Sequence, residues 1–345
     1  MSKFCIFCGQ KPEKKNNEHV IPQWLSKMTG RYHKVCNLAG VTDKQISFSA
    51  LQFPACTKCN EDFSALEADA KRIITSVLDA KPISAQEISR LLDWFDKVRV
   101  GLWLAELTLS QKVEEIDPNF YITERVGQKD RMLMVERLKD AGQGISFVGT
   151  NTAIFREMPS VFQLIINDCV FTNASENGLV SNKLGFPIYD KPRPDTGRGT
   201  VMTIRPGRNK TGHPVVDKYN ASPTTTLIYQ PMYKIVASQN IASEYDAPYV
   251  KEHSIDATNG VGGIFYQRGD NAVKYLGEGE KLNITPRAQP MPETGILHKK
   301  VFDLQNYLLS GLYNLSALDS AGQQYYNALM QANKMHAKIC EKSRR

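Results

Sequence analysis

The chain has 345 residues, 41% of them hydrophobic and 23% charged, with a net charge of +7. That length allows two domains and a sizeable core, and the composition is ordinary for a folded soluble protein. No stretch approaches the 18 apolar residues of a membrane span, and the opening residues MSKFCIFCGQ lack the apolar run of a signal peptide, so a cytoplasmic protein with no membrane partner is expected. The basic balance suits a polyanionic partner without by itself identifying one.

Residues 1–60 are punctuated and knuckle-like. From Asn60 the spacing of Phe63, Leu66, Ala70, Ile73 and Val77 predicts a helix, with Glu61 and Asp62 in its first turn and Pro82 ending it. Ser84 and Glu87 form a capping-box pattern that opens a second helix, over about 84–111. Its broad apolar face, from Leu91 to Leu107, marks a core helix. Beyond 116 come short runs rich in β-branched and aromatic residues: RMLMVERL, ISFVGT, VFQLIINDCVFT, TTTLIYQPMYKIVA and GGIFYQRG. Gly, Pro and Asn separate them, which predicts a mixed or mainly antiparallel sheet. A Pro- and Gly-rich excursion spans 181–222, helix returns over about 302–340, and the basic tail is expected to fray. The expected class is α+β: an N-terminal metal-stapled module at 1–80, a helical connector at 81–115, and a β-rich recognition or sensing domain with C-terminal helices at 116–345.

Four of the seven cysteines form two close pairs, Cys5/Cys8 and Cys56/Cys59. In a reducing compartment that pattern points to metal rather than disulfides, and four thiolates fill a tetrahedral zinc site. A bare zinc ribbon used for protein contact has the same spacing. The content of the loop separates the readings: Glu18-His19 lies between the pairs and Asn60 follows the last cysteine. Hydrolysis of a phosphodiester by a single ion needs oxygen ligands and a base. Glu18 and Asn60 supply the first, for Mg2+ or Mn2+, and His19 the second. Adjacent strand residues point to opposite faces, so Glu18 and His19 need an irregular strand end to reach one phosphate.

The order of these residues, with the strings EHVIPQWL and ACTKCNEDFSALE, resembles the HNH endonucleases and their ββα-metal finger over residues 1–75. The resemblance implies His19 as general base, Glu18 and Asn60 as ligands of the catalytic ion, and Cys5, Cys8, Cys56 and Cys59 as zinc ligands. Glu67 matches a trailing Glu of the family, either facing the site or bracing the fold. Many relatives carry Asp at the position of Glu18. Asn37 is the candidate for the family's middle Asn, Trp24 is expected to pack against the finger, and His33 to be exposed.

The basic stretch 183–218 offers Arg193, Arg198, Arg205, Arg208 and Lys210 as contacts to a nucleic-acid backbone. The run Gly260–Ile264 lacks the Lys-Ser/Thr of a phosphate loop and reads as a turn. His213, His253 and His298 lie in separate segments. The expected function is metal-dependent cleavage of DNA, double-stranded ahead of single-stranded, with antiphage defence as its setting. Cutting both strands requires a dimer or two events, so a homodimer or a defence-system protein is the expected protein partner. The alternative is a non-catalytic zinc module that binds nucleic acid or protein.

Overall fold

The computed structural model describes residues 4–12, 16–30, 35–36, 46–47, 50–110, 117–181, 183–186, 188–189, 193–195, 199–201, 204–205, 224–232, 259–269, 271–285, 287–288, 294–312 and 318–342. These form a mixed helix-and-sheet structure of the α+β class.

Near the N-terminus, β1 (Asn17–His19) pairs antiparallel with β4 (Gln52–Pro54), setting Glu18 opposite Phe53 and His19 opposite Gln52. Between them lie α1 (Gln23–Met28) and a second small pair, β2 (Val35–Cys36) with β3 (Ile46–Ser47). Helix α2 (Thr57–Leu78) begins three residues earlier than its apolar spacing indicates, because the second cysteine knuckle is itself the first turn. Cys56 is extended, at φ −74° and ψ 149°, and the chain turns helical at once, carrying Cys59 and Asn60. Glu61 and Asp62 therefore lie beyond the first turn, which holds no acid. The helix ends before Pro82 is reached. Ala80 adopts a left-handed φ of 55°, and the amides of Ala80 and Lys81 donate to the carbonyls of Val77 and Ser76 at 3.0 and 2.8 Å. This is a Schellman closure on a residue other than glycine.

After β5 (Ile83–Ser84), helix α3 (Ala85–Ser110) starts with the expected box: the Ser84 amide donates to Glu87 Oε2 at 2.8 Å, and the Glu87 amide to Ser84 Oγ at 3.2 Å. The short α4 (Ile122–Arg125) and α5 (Ala153–Glu157) flank the strands that follow. These are β6 (Arg131–Arg137), β7 (Ile145–Val148), β8 (Val161–Ile166) and β9 (Cys169–Ser175). Two small pairs come next, β10 (Ile188–Tyr189) with β13 (Ile204–Arg205), and β11 (Arg193–Asp195) with β12 (Gly199–Val201). The last strands are β14 (Thr226–Gln230), β15 (Phe265–Arg268), β16 (Lys274–Tyr275) and β17 (Lys281–Leu282), the last paired with β5. The main sheet has seven strands in the order β16-β15-β14-β6-β9-β8-β7, and every pairing is antiparallel. Each of the five β-rich runs contributes a strand to it.

The alternation along β6 shows how the layers are made. Leu133 and Val135 join the core containing α3, while Met132 and Met134 join the core on the other face. That second core is closed by α6 (Thr294–Leu312) and α7 (Ser320–Lys342), through Val301, Leu304, Leu308 and Leu329. Helix α6 starts earlier than expected, and the supposedly frayed tail is helical through Lys342. Helix α3 is more than a connector. Trp94, Phe95, Asp96 and Arg99 are all fully buried, with the hairpin and α2 on one side and the sheet on the other. No helix among the described residues is long and apolar enough to cross a membrane.

Candidate metal centre and its surroundings

The first knuckle, Cys5 to Cys8, closes with the Gly9 amide donating to the Cys5 carbonyl at 2.8 Å. Gly9 has φ 73°, which favours glycine, and a Cβ there would lie 2.4 Å from the Tyr121 ring, which would have to shift. The knuckle is pinned from both sides: the Ile6 amide donates to Pro54 of β4 at 2.9 Å, and the Thr123 amide of α4 to Phe7 at 2.9 Å. Phe7 stacks on Phe63 of α2 with ring centroids 4.4 Å apart. These contacts bring Cys5, Cys8, Cys56 and Cys59 together with all four Sγ atoms within 4.8 Å of one another.

That spacing fits zinc. A tetrahedron with Zn–S bonds of about 2.3 Å puts its sulfurs about 3.8 Å apart, and Cys8 and Cys56 stand at 4.0 Å. Cys56 is pulled below the usual thiol range, first by the Cys59 backbone amide, whereas burial pushes Cys5 and Cys59 up. The Cys56 amide also donates to Cys5 Sγ at 3.2 Å, as an amide does to a thiolate ligand. The four cysteines could therefore hold a structural metal such as zinc, with no open position for a substrate. No second group of three His, Cys, Asp or Glu side chains gathers in this way among the described residues.

Glu18 and His19 diverge, as the strand's two-residue period requires. His19 sits beside Gln52, its cross-strand neighbour, and Gln23, the first residue of α1. The Gln52 and Gln23 amide nitrogens are 2.8 and 3.0 Å from its Nε2. An amide N–H can only donate, so this arrangement presents Nε2 as the acceptor. Glu18 points the other way, into the protein. Its Oε1 accepts the Lys97 ammonium of α3 at 2.6 Å, and Lys97 also bonds Glu67 of α2. Glu67 accepts from two further donors, the indole N–H of Trp24 at 2.7 Å and that of Trp94 at 3.1 Å. Glu67 therefore braces the fold, and Trp24 packs against Trp94 with centroids 5.8 Å apart. Burial works against the Lys97 charge, but the two carboxylates outweigh it and hold its pKa up. Burial also pushes Glu18 up, more than Lys97 pulls it down.

A divalent ion at Glu18 does not fit these residues as they stand. One carboxylate oxygen is bonded to the buried Lys97 ammonium, whose charge a divalent ion would have to displace. Asn60 is half-buried in the first turn of α2, its amide donating to Cys56 at 3.0 Å. Lys97, Gln23 and Gln52 are the residues that the sequence reading missed. The one signal for Lys97 was its charge within an apolar stretch of α3. His33, Asn37, Arg198, Arg208, Lys210, His213 and His253 lie outside the described residues, and Arg193 and Arg205 are placed only as members of β11 and β13. His298 lies on α6, where burial lowers its pKa. No protein-family model, curated protein or solved structure matches the chain.

Proposed function

We propose that residues 4–80 form the cleaving module of an endonuclease of the HNH kind, acting on DNA phosphodiester bonds. The observation that carries this reading is the set of elements around His19. Strand β1, paired with β4, ends on His19, and α2 starts at Thr57 from a four-thiol cluster. In this reading His19 Nε2, given up by the two glutamines, takes the proton from the attacking water. Before that step, Gln23 and Gln52 position the ring at the end of β1.

The rival is a zinc module that binds nucleic acid or protein without cutting. What favours it is Lys97, whose ammonium already neutralises the carboxylate that a catalytic ion would use.

The test is nicking of supercoiled plasmid by the full chain with magnesium or manganese. Wild type should nick, and His19→Ala should lose about 10²–10⁴-fold with zinc content and melting temperature unchanged. A wild type that binds plasmid but never nicks it, or a His19→Ala protein as fast as wild type, puts the binding module in front.

A further inference from the structure

A cavity of roughly 430 Å³ opens beside the start of β8, lined by residues including Phe120, Arg125, Lys129, Ser160, Glu176 and Asn177. At its base Arg125 and Lys129 share one carboxylate. Lys129 bonds Glu176 Oε1, and Arg125 Nη2 lies 3.6 Å from Oε2. Glu176 is saturated, since Ser160 Oγ donates to it at 2.6 Å and the Asn177 amide at 3.0 Å. Arg125 is not. Its side chain is 4% exposed, its Nη2 donates to the Ser175 carbonyl at 2.6 Å, and its Nε and Nη1 have no hydrogen-bond partner among the described residues.

Unsatisfied donors on a buried cation cost free energy, which an anion reaching Arg125 from the cavity would offset. One carboxylate between two cations also leaves a positive charge uncompensated. Arg99, buried nearby, is engaged elsewhere, with Asp96 at 2.5 Å and the Pro159 carbonyl at 2.9 Å. Burial, opposed by Glu176 and reinforced by Arg99, lowers Arg125 to about 10; Lys129 is lowered by burial and then by Arg125. A negative charge placed here would relieve both. The other acid at the cavity, Glu157, is exposed at the rim, where it accepts the Tyr325 hydroxyl at 2.6 Å.

We propose that this cavity binds a small phosphate-bearing anion, with Arg125 and Lys129 as its cations and the exposed Asn119 and Asn177 side chains at its mouth. A phosphate group carries nearly two charges and three acceptor oxygens, which suits two separate cations better than one carboxylate would. The volume lies within the range of small-molecule sites and leaves room for more than a bare oxyanion.

Calorimetric titration of the full chain with inorganic phosphate and with adenosine monophosphate tests this. At least one should bind saturably, and Lys129→Met should weaken binding about tenfold or more. Lys81→Met, which removes an exposed cation elsewhere, should leave it unchanged. Equal affinity for the two probes identifies a free oxyanion; tighter binding of the nucleotide identifies a phosphorylated ligand. If Lys129→Met melts prematurely, Asn177→Phe at the exposed mouth should weaken binding in its place. Absence of saturable binding of either probe, or binding that both folded variants retain, overturns the proposal. None of these substitutions alters β1, β4, His19 or the four cysteines, so the result stands apart from that of the nicking assay.

Discussion

At the residue scale, the group that most repays scrutiny is Lys97. Its side chain is 2% exposed and holds two carboxylates, Glu18 and Glu67, from different elements. Removing it would leave both acids half-buried without that countercharge, Glu67 keeping only its two indole donors. Lys97→Met is therefore expected to cost about 3–5 kcal/mol in denaturant unfolding. Lys97→Met with Glu18→Gln should recover part of that loss; a double variant less stable than the single one would refute the pairing. The residues of this network illustrate what a linear reading can reach. The cysteine pairs and the Glu18-His19 doublet stood out because their spacing is local chemistry. Lys97 did not, because Glu18 is 79 positions away and only the closed fold shows that they meet. Glu67 was recognised as a position, but its role follows from Trp24 and Trp94, brought to it by α1 and α3.

At the scale of elements, the box at the start of α3 gives a direct test. Glu87 caps the helix and pairs with Arg72 of α2. Although burial would raise it, the Ser84 amide and Arg72 hold its pKa below the ordinary value of 4.5. A depressed carboxylate stabilises the fold above its unfolded pKa, and that stability is lost as pH falls through the folded value. Glu87→Ala should thus cost about 1 kcal/mol near neutral pH, with the difference from wild type shrinking below pH 4.5. A difference that stays constant down to pH 3 would dissociate the cap from the charge. The start of α3 could be read from its cap, and all five β-rich runs from their composition and the Gly, Pro and Asn between them. The start of α2 could not, because a metal knuckle and a helical turn occupy the same residues. Its end could not either, because Ala80 closes it where glycine would be the ordinary signal.

At the scale of the whole molecule, one apolar core runs from Cys5 and Phe7 through α2 and α3 to Phe162 and Ile284. The cysteine-bearing N-terminal elements and the sheet therefore share a wall and should unfold together. Calorimetry is expected to give a single transition, and metal analysis about one zinc per chain. Chelation should lower that one transition, since metal affinity and folding are coupled. Two transitions, with only the lower one sensitive to chelator, would show that the module is separate after all. The same wall means that a fragment starting near residue 116 would expose the sheet face that α3 covers. The five β runs showed that a sheet exists, but its helical cover comes from a segment that reads in sequence as a link between domains.

Helix α3 has one further consequence. Lys97 and Arg99 sit on the same turn and reach in opposite directions, the first to Glu18, the second to Asn173 and Pro159. Each residue added to a helix rotates everything after it by about 100°. A single insertion between the Ser84 cap and this turn would swing both side chains away from their partners at once. The segment can change its composition far more freely than its length, so a deletion or insertion there is a harsher lesion than most substitutions.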